Sequence, residues 1–166
     1  MIAINKEQVF LEIANDLIKS GFTIEEQDSD RPWGGFFKIS EYEAARFVQT
    51  YFPGIDVEDL KISGKLSPKI LLVAPFKRLS WQYHYRRAEI WRVLHGEVGV
   101  LTSFTDEQGE LNLLNSGDVV KLKAEERHRL VGLEDWSVLA EIWQHTDANL
   151  PSDEFDIVRL EDDFGR

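Results

Sequence analysis

The sequence predicts a mainly β protein, a sandwich or barrel of the jelly-roll type with α-helices near its N-terminus. Apolar residues recur at helical spacing up to about residue 56, and from residue 57 they fall into short runs of period two. These runs are separated by turn residues and occupy positions 70–73, 79–86, 88–104, 111–114, 119–122, 128–133 and 137–144. Short strands at such spacing are typical of jelly rolls and barrels.

Two amphipathic helices are predicted before the strands. Residues 7–19 carry apolar side chains on one face, and Gly21 follows as a C-terminal stop. Residues 42–52 form the second helix, with Ser40 as its N-cap and Glu43 at the capping-box position. We expect both helices to pack outside the barrel.

The remaining segments complete a single domain. The acidic residues 24–30 predict a loop, and residues 31–39 predict a turn followed by a short strand. We therefore divide the 166 residues into a helical N-terminal extension (1–56), the jelly-roll barrel (57–150) and a closing C-terminal tail (151–166). A chain of this length can bury a sizeable core without disulfides.

Composition narrows the possible partners. The chain has no cysteine, so any metal must be bound by nitrogen and oxygen ligands. A formal net charge of −11 without a basic run makes nucleic acid and anionic membranes poor partners. No secretory leader or long apolar stretch is recognisable, which predicts a cytoplasmic protein.

The most informative stretch is LSWQYHYRRAEIWRVLHG, residues 79–96. In an extended chain one face carries Ser80, Gln82, His84 and Arg86, and the other carries Leu79, Trp81, Tyr83 and Tyr85. Glu89 lies on the adjoining strand. Amide, imidazole and carboxylate groups are the donors that a divalent metal takes. An alternative is a sandwich strand whose histidine only makes hydrogen bonds.

The opposite, aromatic face of this strand predicts a homodimer. Trp81, Tyr83 and Tyr85 form a stripe facing away from the proposed metal face, and exposed aromatic surface commonly contacts a partner. The alternative is that the N-terminal helices cover the stripe. His95, in a turn, and His145, after the last strand, are expected to be solvated.

The spacing of His84, Arg86, Glu89 and Gly96 resembles the first motif of the cupin superfamily, with Arg86 in the place of the second histidine. Gly117 and His128 keep the spacing of the second motif, without its usual proline and middle glycine. The fold implied is a cupin-like jelly-roll barrel. His128 begins a strand, so that its ring can point inward and complete a set of metal ligands.

Longer stretches resemble the isomerase domain of bifunctional (type II) mannose-6-phosphate isomerases. LSWQYHYRRAEIW is similar to LSLQxHHHRAEHW of that family, with Ile90 in the place of its last histidine. RPWG at residues 31–34, AEIWQ at 140–144 and the tail EFDIVRLEDDFGR also match. Gln-x-His is similar to the zinc-binding pair of type I enzymes.

The resemblance and the donor pattern together assign roles. A divalent metal, zinc by preference, would be held by Gln82, His84, Glu89 and His128. Catalytic roles fall to Glu141 and Arg87, and the arginines that could bind a phosphate are Arg86, Arg159 and Arg166. Arg86 shares the face of Gln82 and His84, where its charge would repel a metal, so we expect it to turn to the rim.

The function implied is a metal-dependent aldose–ketose isomerase that converts mannose 6-phosphate to fructose 6-phosphate through an enediolate. One alternative is a cupin that binds a sugar or metabolite of polysaccharide or nucleotide-sugar metabolism without turnover. A second alternative is an iron oxygenase using His84, Glu89 and His128 as a two-histidine, one-carboxylate triad. The identity of the bound metal separates the isomerase from the oxygenase.

Overall fold

A computed structural model describes residues 5–61 and 64–166 of the chain. It contains helices α1 (Lys6–Lys19), α2 (Ala44–Tyr51) and α3 (Val57–Leu60). Its strands are β1 (Ile24–Asp28), β2 (Gly34–Ile39), β3 (Lys69–Val73), β4 (Trp81–Tyr83), β5 (Arg87–His95), β6 (Val98–Ser103), β7 (Asn112–Leu114), β8 (Val119–Leu122), β9 (Arg127–Gly132), β10 (Ser137–His145) and β11 (Val158–Glu161). The predicted mainly β fold with N-terminal helices is confirmed.

The strands form two antiparallel sheets that face each other across the barrel. The larger sheet has the order β1-β2-β3-β10-β5-β8, and the smaller has the order β11-β4-β9-β6-β7. The long strands β5 and β10 pair along almost their whole length, from Arg87 opposite His145 to His95 opposite Val138. This pair forms the centre of the larger sheet and supports most of the site described below.

The larger sheet is buried on both faces, which explains its long apolar strands. On β10, Val138, Ala140 and Ile142 face outward into a core that they share with α1 and α2. Leu139, between them in sequence, faces inward with Trp91 into the core between the sheets. Period-two alternation therefore sends every second residue of β3, β5 and β10 into the barrel.

The helices pack outside the barrel, but the second one begins differently from the prediction. Ser40 makes no side-chain capping bond, and the segment starts as a 3-10 turn at Glu41–Glu43. The Glu43 carboxylate instead accepts from the backbone N–H of Thr23. The capping-box prediction was wrong because Glu43 bonds to the preceding loop rather than to its own helix.

Two strand predictions also needed correction. The acidic segment 24–30, predicted as a loop, forms β1, which pairs with β2 at the edge of the larger sheet. Its side chains are mostly exposed, so the segment lacks the apolar alternation of a covered strand. The predicted strand 88–104 is two strands, because Gly96 adopts a left-handed φ of 78° and turns the chain between β5 and β6.

The aromatic stripe is only partly exposed. Trp81 and Tyr83 are buried, whereas Tyr85 is 54% exposed. The Trp81 indole donates to the carbonyl of Asp106, and Arg127 stacks on the Tyr83 ring. Asp106 in a loop and Arg127 at the start of β9, and not the N-terminal helices, make these contacts, and the homodimer stays a prediction. Within the described ranges, no helix is both long and apolar enough to cross a membrane.

Phe37 anchors the helical layer to the larger sheet. It is fully buried, and its ring centre lies 5.3 Å from that of Phe10 on α1. We expect Phe37→Ala to lower the free energy of unfolding by about 3–5 kcal/mol, because the lost contacts leave a cavity. Urea denaturation followed by circular dichroism measures the change. Tyr42→Ala, at a 99% exposed aromatic residue, is the control and should shift it by less than about 0.5 kcal/mol.

Candidate functional site

A pocket opens between the two sheets, and polar residues line its interior. The inward residues of β3, β5 and β10 form one wall, while β4 and the C-terminal tail form the other. Its charged and other polar lining residues are Arg31, Lys69, Ser80, Gln82, His84, Arg87, Glu89, Glu141, Glu154, Arg159 and Arg166. Most of the residues singled out in the sequence therefore meet in one cavity.

His84, Glu89 and His128 form a buried group of metal-ligating type. One donor atom from each lies within 4.8 Å of the other two. Glu89 Oε1 is 3.2 Å from His84 Nε2, and Glu89 Oε2 is 3.6 Å from His128 Nε2. Ligands about 2.1 Å from a tetrahedral ion lie about 3.4 Å apart, so these separations fit a metal of that kind.

Backbone carbonyls fix the orientation of both imidazoles. His84 Nδ1 lies 2.7 Å from the carbonyl oxygen of Asp156, and His128 Nδ1 lies 2.9 Å from that of Glu126. Since a carbonyl only accepts, each Nδ1 carries a proton, and each Nε2 faces Glu89. Second-sphere bonds of this kind orient metal-binding histidines.

The charges of the group also suit a cation. Burial would raise the pKa of Glu89, but Arg87 and the two histidines outweigh burial and hold it well below its usual range. Burial lowers the pKa of His128 to about 4 despite the opposing effect of Glu89. His128 Nε2 has no hydrogen-bond partner among the described residues. An ionised carboxylate and a neutral, unpartnered imidazole nitrogen are what a divalent metal binds.

Gln82 lies next to this group. It is directly opposite His128 in the pairing of β4 with β9, and it lines the same pocket. The structure thus brings all four predicted ligands to one end of the barrel. Their role in binding a metal stays a prediction.

Arg87, not Arg86, places a guanidinium beside the group. Its Nε donates to Glu89 Oε1 over 2.9 Å, and one Nη lies 3.2 Å from His84 Nε2. The other Nη bonds Ser152 Oγ, and the guanidinium stacks on the Trp143 ring at 3.6 Å. The side chain is therefore buried with all its charge compensated. A metal bound at His84 would have to replace the weaker Arg87 contact there.

Arg86 turns away from the pocket toward the tail. Its guanidinium nitrogens lie 3.8 Å from Asp153 Oδ2 and from Asp156 Oδ1, and it is not part of the pocket lining. This agrees with the expectation that Arg86 would leave the metal face. Its predicted contact with a phosphate stays untested, while Arg159 and Arg166 do line the pocket.

Asp156 holds the turn that carries His84. Its carboxylate accepts from the backbone N–H groups of Tyr85 and Arg86, each over 3.0 Å, and from Ser152 Oγ. These bonds end β4 at Tyr83, earlier than predicted, because the two N–H groups bond the tail instead of a strand. The same residue's carbonyl orients the His84 ring.

The turn before His128 is built without the proline and glycine expected there. Glu125 adopts the left-handed φ of 65° that a glycine would take at lower cost. Its N–H donates to the carbonyl of His84 over 2.8 Å. The two halves of the group are therefore linked through the backbone as well as through Glu89.

Glu141 is a buried carboxylate with an unusual affinity for protons. The indole N–H groups of Trp91 and Trp143 each donate to one of its oxygens over 2.9 Å. Burial, followed by the charge of Glu89, raises the pKa of Glu141 to about 7. At neutral pH it can both accept and release a proton, which is the property a general base needs.

Several site residues were missed or misplaced in the sequence analysis. Lys69 begins an apolar run, KILLV, and its alternation with Leu71 could have indicated an inward position. Asp156 carries no local signal, because its partners lie about 70 residues away. The prediction that His145 is solvated was wrong: it is fully buried, lies 3.0 Å from Ser67 Oγ and accepts from the N–H of Ser152.

Comparison with solved structures places this barrel among known folds. CapF from Staphylococcus aureus, a capsular polysaccharide assembling protein, matches with a TM-score of 0.55 at 17% identity over 82% of this chain and 34% of its own. Vicilin from Corylus avellana matches with a TM-score of 0.55 at 12% identity over 82% of this chain and 35% of its own. The chain thus spans about a third of each, and these identities establish the cupin fold alone.

Comparison by sequence is more specific. No curated protein matches the chain significantly. A family model does, the one described as Mannose-6-phosphate isomerase C-terminal, and it covers residues 38–162. The matched region includes every predicted site residue except Arg166. Since it spans most of the 166 residues, the chain belongs to the Mannose-6-phosphate isomerase C-terminal family, with the barrel of a cupin.

Proposed function

We propose that this protein is a metal-dependent aldose–ketose isomerase acting on a phosphorylated sugar, with mannose 6-phosphate and fructose 6-phosphate as the pair implied by its family. The observation that carries the proposal is one pocket that combines three elements. They are the group of His84, Glu89 and His128, of which the first two line the pocket, the carboxylate of Glu141, and a set of cationic side chains. An isomerase of sugar phosphates needs each of them.

The proton transfer is assigned to Glu141. In the aldose-to-ketose direction its carboxylate removes the proton from C2 and returns it to C1, while the hydroxyl proton of C2 moves to the oxygen on C1. The two indole bonds fix the orientation of this carboxylate. Its raised pKa makes it a better base than an ordinary glutamate.

The charge that develops on the sugar oxygens requires a cation nearby. A divalent metal held by His84, Glu89 and His128 would polarise the carbonyl and stabilise the enediolate. Arg87, beside these residues, would donate to the same oxygens through the Nη that a metal at His84 would displace. The phosphate is assigned to Arg159 and Arg166, which line the pocket, because guanidinium groups bind phosphate through two parallel donors. Arg166 would exchange its bidentate contact with Asp162 for the phosphate.

One observation favours a second candidate function, in which the protein binds a sugar or metabolite without converting it. The Arg87 guanidinium bonds both His84 Nε2 and Glu89 Oε1, so the group is already partly compensated by an internal cation. In that case the pocket would bind an anionic sugar, but the metal group would be structural. Binding and turnover measured on the same sample separate the two functions.

The direct test of the isomerase is proton NMR of purified protein with a panel of sugar phosphates and one equivalent of zinc. We expect mannose 6-phosphate to convert to fructose 6-phosphate in the presence of zinc and not after chelation. In D₂O the product should carry deuterium at C1, because Glu141 exchanges its proton with solvent. Binding of sugar phosphates without conversion under any metal would support the second candidate instead.

Removal of a histidine from the proposed metal group should abolish stoichiometric binding of zinc. We expect dialysed wild-type protein to retain about one zinc per chain by elemental analysis, and His84→Ala and His128→Ala to retain little. Metal that binds only the folded state also raises the melting temperature, an effect that the two variants should lose. His95→Ala is the matched control outside the group. Equal zinc in all four proteins would contradict the proposed centre.

The pH dependence of turnover should report Glu141. The ionised form removes the proton, and its pKa lies near 7 instead of 4.5, so kcat should rise as the pH increases through about 7 and level off above it. Glu141→Gln should lower kcat by about 10²–10⁴-fold, with the zinc content unchanged. Glu110→Gln, at an exposed glutamate, serves as the control. A rate that stays flat between pH 5.5 and 8.5 would assign the proton transfer to another group.

A further inference from the structure

Lys69 is a buried cation that neither the sequence analysis nor the family resemblance assigns. It is the first residue of β3, it is 5% exposed, and its side chain faces the pocket. Its ammonium lies 4.7 Å from the centre of the Phe36 ring and 4.3 Å from that of Trp143. A buried ammonium is costly unless an anion accompanies it.

The anion present is Glu154, which lies on the tail between β10 and β11 and forms an ion pair with Lys69. The two partners are unequal: the Lys69 side chain is 6% exposed and the Glu154 side chain is 56% exposed. Partial burial would raise the pKa of Glu154, but Lys69 holds it below its ordinary value. Glu154 can return to water at little cost, whereas Lys69 cannot.

Three guanidinium groups lie near this ion pair, and two of them are paired with carboxylates, Arg31 with Asp28 and Arg166 with Asp162. Arg31, Arg159 and Arg166 line the same part of the pocket. Partial burial, together with the charges of Arg166 and Arg31, lowers the pKa of Arg159, although Asp162 and Glu154 act in the opposite direction. In a chain of net charge −11, this end of the pocket attracts anions.

The separation of Lys69 from the proposed metal group suits a ligand that reacts at one end and carries an anionic group at the other. Lys69 on β3 lies directly opposite Glu141 on β10, and β10 in turn pairs with β5, which carries Glu89. The backbones of β3 and β5 are therefore about 9.6 Å apart, two strand spacings. A sugar that spans this distance has its reacting end near Glu89 and passes Glu141 on the way to Lys69.

We propose that Lys69 binds the anionic group of the substrate deep in the pocket, and that Glu154 occupies this position until the substrate displaces it. This inference rests on the proposed function and names the binding site for the phosphate. Arg159 and Arg166 then guide and surround the phosphate, while Lys69 makes the buried contact.

The test uses mannitol 1-phosphate, which has no carbonyl and cannot be isomerised, in calorimetric titrations of the protein. Lys69→Gln should weaken its binding by at least about tenfold, since a hydrogen bond to a charged group is lost. Glu154→Gln should tighten it by about two- to fivefold, the range expected for loss of a competing surface ion pair. Mannitol, the neutral probe, should respond to neither substitution.

The double variant distinguishes displacement from a general change in charge. If Glu154 competes for Lys69, Glu154→Gln should bring no gain in the Lys69→Gln background. Glu134→Gln removes the same charge from an exposed site and should have no effect in either background. Thermal unfolding verifies that each variant folds, and Lys69→Met, which keeps the apolar stem, replaces Lys69→Gln if needed.

Two results would overturn this inference and leave the proposed isomerase activity untouched. Unchanged binding in the folded Lys69 variants would exclude Lys69 as the anchor, and a gain from Glu154→Gln that persists without Lys69 would exclude the exchange. In both cases the NMR assay would still test the isomerase. Wild-type protein that binds neither mannitol 1-phosphate nor mannose 6-phosphate would instead overturn the phosphorylated substrate itself, and this inference with it.

Discussion

The ion pair between Arg87 and Glu89 is the interaction on which the interior of the barrel depends. Both residues are buried, and a lone buried charge of either sign would cost several kcal/mol. Each therefore has further polar partners: Glu89 faces two histidines, and Arg87 bonds Ser152 and stacks on Trp143. Removing one partner would leave the other as an unpaired buried charge. The pair therefore limits the substitutions that neighbouring positions can tolerate.

The C-terminal tail completes this interior from the other side. Ser152 joins Arg87 to Asp156, and Asp156 orients His84 and the turn that follows it. His145 ties the start of the tail to Ser67. The two sheets alone therefore do not build the site, because His84 and Arg87 are both held by residues that follow β10.

The sequence predicted those parts of the fold and site that have a local signal. Period-two alternation placed Gln82 and His84 on one face of a strand, and motif spacing brought His84, Glu89 and His128 together. The tail contacts were not predictable, because Asp156 and His84 are 72 positions apart and no pattern relates them. His145 was misjudged for the same reason, since a polar segment that folds back over it looks like solvent-exposed chain. β1 was missed because an exposed edge strand has no apolar face to reveal it.

The larger sheet, buried on both sides, also bears on how the chemistry of such a domain evolves. Neighbouring positions on β10 serve separate purposes: Ala140 and Ile142 support the helices, while Glu141 and Trp143 form the pocket wall. Substitutions at alternate positions can thus exchange one substrate or reaction for another and leave the scaffold unchanged. Insertion or deletion of one residue would interchange the two sets. Functional divergence within this barrel is therefore expected to proceed by replacement within strands and by length changes only in the loops and the tail.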